Sequence, residues 1–165
     1  MKTLYIVRHA KSDWGNEGLK DIDRHLNNTG YNDAYLMSNN FALNNPMPQL
    51  LVSSSAIRAL STALIFARSF HYSERNILIE ERIYEASTNE LISCIAELDN
   101  KLNNVMLFGH NPGLTNLFNQ ISDSFIDNLP PCGILGINFE INTWKDILKI
   151  KGKSFLTNFP KEFRP

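Results

Sequence analysis

The chain has 165 residues and a mass of 18.8 kDa, which suits one hydrophobic core and leaves little room for two. Hydrophobic residues at 43% and charged residues at 20% match ordinary globular usage, which excludes disorder, collagen and coiled coil. The formal net charge of -1 and pI near 6.4 supply no global basic field of the kind a nucleic-acid binder carries.

Thr3–Val7 is a short apolar run with β-branched residues and reads as a strand buried on both faces. It meets Arg8-His9 at once, too soon for the apolar region of a signal peptide. No later run approaches the roughly 20 apolar residues of a membrane span. Asp13–Asn28 is polar, carries Gly15 and Gly18, and reads as a loop. Thr29–Leu43 places Tyr31, Ala34, Tyr35, Ser38, Phe41 and Ala42 at helical spacing, and Asn44-Asn45-Pro46 ends it. Leu50–Ser53 is a second strand. Ser54 or Ser55 is expected to cap the next helix, whose inward face is Ala56, Ala59, Leu60, Ala63, Leu64 and Ala67. Ile77–Ile79 is a third strand. Thr88–Leu98 is a helix with Leu91, Ile92, Ile95 and Leu98 facing inward. Asn104–Phe108 is a fourth strand. Gly109-His110-Asn111-Pro112-Gly113 then turns into a helix carrying Leu114, Leu117, Phe118 and Ile121, with Pro112 suited to its first position. Beyond Pro130-Pro131, the segments Ile134–Ile141, Trp144–Ile150 and Ser154–Asn158 read as strands joined by short turns.

This alternation predicts a single domain over 1–165. Its class is α/β: a three-layer α/β/α sandwich with a mostly parallel central sheet and antiparallel edge strands near the C-terminus. Ligands of such sheets bind outside the carboxyl ends of the strands. Arg8-His9 follows the first strand, Arg58 opens the helix after the second, Glu85 comes shortly after the third, and His110 follows the fourth. Distant in sequence, they converge on one crevice. Two arginines beside two histidines are costly without an anion, because like charges repel and buried cations lose hydration. A phosphoryl group resolves the conflict, and guanidinium forks suit its oxygens. A neutral imidazole can attack phosphorus, and a second, protonated, can hold an equatorial oxygen. The Asn111-Pro112-Gly113 turn adds backbone N–H groups at a helix N-terminus.

Four motifs in order, Arg8-His9-Ala10-Lys11-Ser12, Ser54-Ser55-Ala56-Ile57-Arg58-Ala59-Leu60-Ser61-Thr62-Ala63, Tyr84-Glu85-Ala86-Ser87 and Gly109-His110-Asn111-Pro112-Gly113, resemble the histidine phosphatase superfamily. The short length and the R-H-A-K-S form look closest to its SixA-type phosphohistidine phosphatase branch. Asp21/Asp23-Arg24-His25-Leu26 through Gly30 resembles that branch's D-x-x-R-P-L-x-x-x-G pattern, with His25 where proline is frequent. The resemblance implies His9 as nucleophile, with Arg8, Arg58 and His110 on the phosphoryl group. It implies Glu85 as the acid that protonates the leaving group. Ser12, Asn111 and Arg24 are further substrate-binding candidates. The phosphatase so implied needs no metal and no cofactor. Its substrate is a phosphorylated protein carrying phosphohistidine or, alternatively, a small phosphomonoester; a phosphoprotein-binding regulator without turnover is a third reading. Two departures stand out. Ala10 replaces the glycine of R-H-G, and Trp14 is followed by Gly15, which displaces Asn16 from its phosphate-contacting place.

Plainer readings stand beside these. Arg58 could be a helix-surface arginine and His110 a turn cap. Glu80, Glu81 and Glu85 compete for the acid, and Glu85 could be an ordinary solvated carboxylate. Arg24 could pin its own loop by pairing with Asp21 or Asp23, while His25 and His71 read as surface residues. Trp144, Phe139, Phe155, Phe159 and Phe163 read as core and tail packing, and Lys149, Lys151 and Lys153 as an exposed strand face. Rival chemistries lack their spacing: there is no Cys-x5-Arg, no Walker-type loop, no H-E-x-x-H and no nucleophile elbow. Cys94 and Cys132 fit no zinc or redox pattern, so a reducing, cytoplasmic setting is expected. Falling pH should protonate His9 and give the rate profile an acid limb; a flat profile from pH 5 to 8 would speak against a free imidazole attacker.

Overall fold

The computed structural model describes residues 1–14 and 17–165, so Gly15 and the Asn16 candidate lie outside the described residues. Among the described residues, six strands form one sheet in the order β3-β2-β4-β1-β5-β6. They are β1 (Lys2–Arg8), β2 (Leu50–Ser53), β3 (Leu78–Ile79), β4 (Asn104–Gly109), β5 (Ile134–Phe139) and β6 (Lys153–Asn158). β1, β4, β2 and β3 run parallel, while β5 and β6 continue the sheet antiparallel. The helices are α1 (Asn28–Asn44), α2 (Ile57–Ser69), α3 (Thr88–Ala96) and α4 (Gly113–Ile121).

Alternation along the central strands feeds two cores. Leu4 and Ile6 of β1, with Val105 and Leu107 of β4, pack on the face covered by α3 and α4. Tyr5 and Val7, with Met106 and Phe108, pack on the face covered by α1 and α2. Both faces of these strands are therefore apolar, as a helix-covered parallel strand requires. Full burial of one such side chain contributes about 1.5–3 kcal/mol, so the central strands are the most firmly held part of the molecule. The sandwich and its edge strands match the sequence expectation. Among the described residues, no helix is long and apolar enough to cross a membrane.

Local expectations fail in instructive ways. Trp144–Leu148 is a 3-10 turn, not a strand; the Trp144 ring is fully buried, and its indole N–H donates to the Leu102 carbonyl. Lys149 accordingly ends this turn and pairs with Asp146, so it shares no strand face with Lys153. The inward face of α1 is centred on Ala34, Met37, Ser38 and Phe41, leaving Tyr31 and Tyr35 exposed. On α2, Leu60 and Leu64 are half-buried, and the buried face instead includes Arg58 and Thr62. Ala56 occupies the N-cap of α2 without a side-chain bond, and the Ser54 hydroxyl accepts the Ala56 N–H from outside the helix. Pro112 is the N-cap of α4, one position before the expected place. Phe155 stands exposed on β6.

Strand order is what positions the site. β4 lies between β1 and β2, with Arg8 opposite Gly109 and Ser53 opposite Phe108. The ladder runs one step further on each side: the His9 N–H donates to the Gly109 carbonyl, and the Ser54 N–H to that of Phe108. His9, His110 and Ser54 thus emerge from three neighbouring strands at the same edge.

Candidate active site

Arg8, His9, Arg58, Glu85 and His110 line one cavity of about 480 Å³, together with Ser12, Arg24, Asn111, Asp21 and Tyr84. The convergence expected from strand ends is present. The His9 and His110 ring centroids lie 5.3 Å apart.

His9 is only 7% exposed. Its Nδ1 lies 2.7 Å from the Ala10 carbonyl oxygen, which can only accept. Nδ1 therefore carries the hydrogen, and Nε2 keeps the lone pair. Burial pushes its pKa down to about 3; the Ala10 bond opposes this, while repulsion from a charged His110 and from Arg58 and Arg8 pushes the same way as burial. His9 is a neutral base throughout the physiological range. This corrects the expected acid limb: protonation of His9 no longer falls between pH 5 and 8, so a flat profile there is what a free imidazole attacker in this environment gives. Ala10, in the glycine's place, is fully buried, and its N–H donates to Thr62 Oγ1, whose hydroxyl donates to the Arg58 carbonyl.

His110 Nε2 lies 2.8 Å from Ser54 Oγ. That oxygen also accepts the Ala56 N–H, and the hydroxyl can still either donate to Nε2 or accept from it. With the hydroxyl donating, the neutral ring bears its hydrogen on Nδ1; that nitrogen is buried and has no protein partner. Burial, with Arg58 next in weight, lowers the His110 pKa to about 4. The second imidazole, expected from the sequence to be protonated, is thus neutral near pH 7 in the free protein.

Arg8 and Arg58 are each held by one end of the guanidinium. The Arg8 Nη1 donates to the Leu129 carbonyl at 2.9 Å, and burial lowers its pKa, helped by Arg58. Arg58 donates from Nη1 to the Asp21 carbonyl at 2.7 Å and from Nη2 to Asp21 Oδ2 at 3.0 Å. The Nε atoms of both arginines are buried without partners. Asp21 also accepts from the Tyr84 hydroxyl and from Arg24 Nε at 3.0 Å; the Tyr84 bond first, then those of Arg58 and Arg24, lower its pKa to about 2. It stays a carboxylate and serves as the anchor of Arg58.

The remaining candidates are placed as follows. Arg24 pairs with Asp21, as the plainer reading had it, donates to Ser12 Oγ at 3.0 Å, and stacks on Trp14 with its guanidinium carbon 3.5 Å from the ring centre. Ser12 thereby accepts one bond from inside the protein and lines the cavity. The Asn111 side chain donates to Asn128 Oδ1 and the Leu129 carbonyl, and accepts from Thr115. Its carboxamide is occupied in tying the 128–129 segment to Thr115 of α4. Glu85 reaches the cavity from a left-handed backbone conformation, φ 55°, uncommon for a residue with a side chain. Of its competitors, Glu80 is bound to Arg82 at 2.9 Å and Glu81 lies outside the cavity. His25 and His71 are exposed. Among the described residues no three His, Cys, Asp or Glu side chains come together to hold a metal ion.

Sequence reasoning missed Ser54, Asp21, Tyr84 and Thr62 as parts of the site. Ser54 was within reach: it follows a strand end as directly as His9 and His110 do. Asp21 stands in the D-x-x-R pattern beside Arg24, but nothing local marks its bond to Arg58, 37 residues away.

Residues 4–116 match the family model of the histidine phosphatase superfamily, branch 1. The crystal structure of the putative phosphohistidine phosphatase SixA from Agrobacterium tumefaciens is similar, at 27% identity and a TM-score of 0.76 over 82% of this chain and 90% of that one. The protein histidine phosphatase SixA complexed with tungstate shares the fold, with a TM-score of 0.84, 14% identity and coverage of 98% and 99%. An uncharacterised chloroplastic protein of Arabidopsis thaliana is 26% identical over 161 residues, 92% of this chain and 72% of that protein.

Proposed function

Since the chain belongs to branch 1 of the histidine phosphatase superfamily and is a phosphatase, we propose that it hydrolyses protein phosphohistidine through a covalent intermediate on His9. One observation carries the reading. Side chains of a single cavity hold three buried nitrogens without protein partners, Arg8 Nε, Arg58 Nε and His110 Nδ1, around a neutral His9. A buried donor left unpaired costs about 1–3 kcal/mol, and a phosphoryl group offers oxygens for all three.

In the first step the His9 Nε2 lone pair attacks phosphorus. A P–N bond forms, and the bond to the leaving atom breaks with its electron pair going to that atom. Arg8, Arg58 and His110 hold the phosphoryl oxygens as charge shifts across them. Asp21 keeps Arg58 aimed, and Ser54 keeps the His110 hydrogen on Nδ1. In the second step water attacks phosphorus, the P–N bond breaks, and His9 recovers its lone pair. Glu85 is the group available to give a proton to the leaving atom and later to take one from water. A protonated imidazole leaves neutral and needs little of that help, whereas an alkoxide needs it badly. Arg24 and Ser12 border the phosphoryl site; the bonds of Asn111 assign it to shaping the wall. The unpaired, buried Cys94 and Cys132 are in keeping with a reducing compartment such as the cytoplasm.

The test is to present a 32P-labelled phosphohistidine protein, quench without acid, and map the label. Label on His9 in the wild type, and loss of both label and turnover in His9→Ala, is the expected result. Unchanged turnover in His9→Ala would overturn the mechanism. Tight stoichiometric binding without turnover would mark a phosphoprotein-binding regulator instead. Turnover of small phosphomonoesters with none of phosphohistidine would assign the enzyme to metabolites.

A further inference from the structure

A second cavity of about 420 Å³ adjoins the first, and the two share Lys11 and Pro131. Phe159, Pro160 and Pro131 give it apolar walls. Lys161 and Arg164 join Lys11 as its cations. Arg164 is neutralised by the buried carboxylate of Asp33, with Nε 3.0 Å from Oδ1. Lys11 and Lys161 have no ion-pair partner among the described residues, and both are exposed. The surplus positive charge therefore belongs to the open side of the cavity. Its size is that of a cleft that takes a ligand.

We infer that this second cavity seats acidic residues flanking the phosphohistidine of a polypeptide substrate. The inference rests on the function proposed above and names what the substrate must carry. An inorganic ion or a small polar phosphomonoester has no use for proline and phenylalanine walls next to the phosphoryl site. A polypeptide does: its phosphorylated side chain enters one cavity while neighbouring residues lie along the other. Carboxylates on those neighbours meet Lys11 and Lys161, and their aliphatic stems meet Phe159 and Pro160. Lys11 stands between the two cavities, so it faces both the phosphoryl group and the flanking chain.

The experiment compares two phosphohistidine peptides, one flanked by glutamates and one by glutamines, on wild type and on Lys161→Glu. Lys161 is exposed, makes no side-chain bond among the described residues, and lies outside the phosphoryl cavity. Wild type should prefer the glutamate peptide through a lower KM, by roughly fivefold as expected for one or two exposed charge pairs. Lys161→Glu should erase or reverse that preference, while its kcat/KM on p-nitrophenyl phosphate stays within twofold. No preference in wild type, or an equal loss on both peptides and p-nitrophenyl phosphate, overturns the inference. If wild type hydrolyses neither peptide, the proposed function has failed, and the cavity is judged by binding alone. An unphosphorylated glutamate-rich peptide is then titrated into 15N-labelled protein. Shifts at Lys11, Asn128 and Lys161 that vanish in Lys161→Glu support the site. No shifts, or shifts confined to Arg8, Arg58 and His110, overturn it.

Discussion

Ser54→Ala removes one oxygen and tests how the phosphoryl site is poised. Ser54 is fully buried, and its Oγ joins the Ala56 N–H at 3.1 Å to His110 Nε2 at 2.8 Å. Without it, a buried ring nitrogen and a buried N–H both lose their partner. Each loss costs about 1–3 kcal/mol, so stability should fall by about 2 kcal/mol or more. At this chain length that corresponds to roughly 4–8 °C in Tm. Catalysis should suffer separately, because nothing then fixes the hydrogen of His110 on Nδ1. Loss of one oriented hydrogen bond of about 1–1.5 kcal/mol in the transition state lowers kcat/KM roughly five- to tenfold. The assay is kcat/KM on p-nitrophenyl phosphate well below the Tm of each variant, alongside 15N NMR of the His110 ring. Ser54→Cys, with its weak S–H donor, should fall between wild type and Ser54→Ala. A variant of lowered Tm whose kcat/KM stays within twofold, with the Nδ1–H form of His110 unchanged, would refute the relay.

Glu85→Gln should slow a phosphomonoester with an alkoxide leaving group about 10²–10⁴-fold and phosphohistidine far less. Equal slowing of both, in parallel kcat/KM measurements, would remove Glu85 from the role of acid. For kcat/KM, which reports the free enzyme, no histidine limb is expected between pH 5 and 8 once the substrate's own ionisation near pH 6 is allowed for; the fall should come below about pH 4. A limb near 6.5 would mean that His9 is not desolvated as described. Stability carries the matching sign. Below about 6.5 the unfolded chain protonates histidines that the native protein keeps neutral, so stability falls with pH by up to ~1.4 kcal/mol per unit for each of His9 and His110 until about 3 and 4. Thermal melts from pH 7 to 4.5 measure this, and His9→Ala should flatten the slope. Gly30→Ala should be destabilising although it sits in α1: an added Cβ would meet the Lys11 carbonyl oxygen at 2.1 Å. A clash with backbone outweighs the ~1 kcal/mol gain in helix propensity, and calorimetry should show a Tm loss of several degrees.

The fold was legible because its signals are local. β-branched runs ended by polar pairs marked the strands, and the period of α3 and α4 marked their faces. Trp144–Ile150 misled because a large aromatic in a short apolar run fits a strand, whereas the indole is buried by a bond to Leu102, 42 residues away. The His9–Arg8–Arg58–His110 set was legible through strand ends and motif order, since both depend on position along the chain. The anchors of that set were not. Asp21 lies in a loop whose spacing has no period, and its bonds to Arg58 and Tyr84 exist only after folding. The neutrality of His9 was legible, but the depth of its pKa shift and the charge of His110 were not: a histidine's pKa is set by what surrounds it, and burial of both rings cannot be counted from neighbours in sequence.

Extension of the β1–β4–β2 ladder by the N–H groups of His9 and Ser54 ties the spacing of the reacting rings to the pitch of the sheet. The residues bordering the two cavities, among them Trp14, Asp21, Arg24, Tyr84, Glu85, Asn128, Pro130 and Pro131, lie outside that ladder. Exchange of those borders between relatives can redirect which phosphorylated molecule is admitted while leaving the interatomic distances of the chemistry untouched. A transplant of border segments from a metabolite-directed relative should therefore change selectivity without a matching loss in turnover.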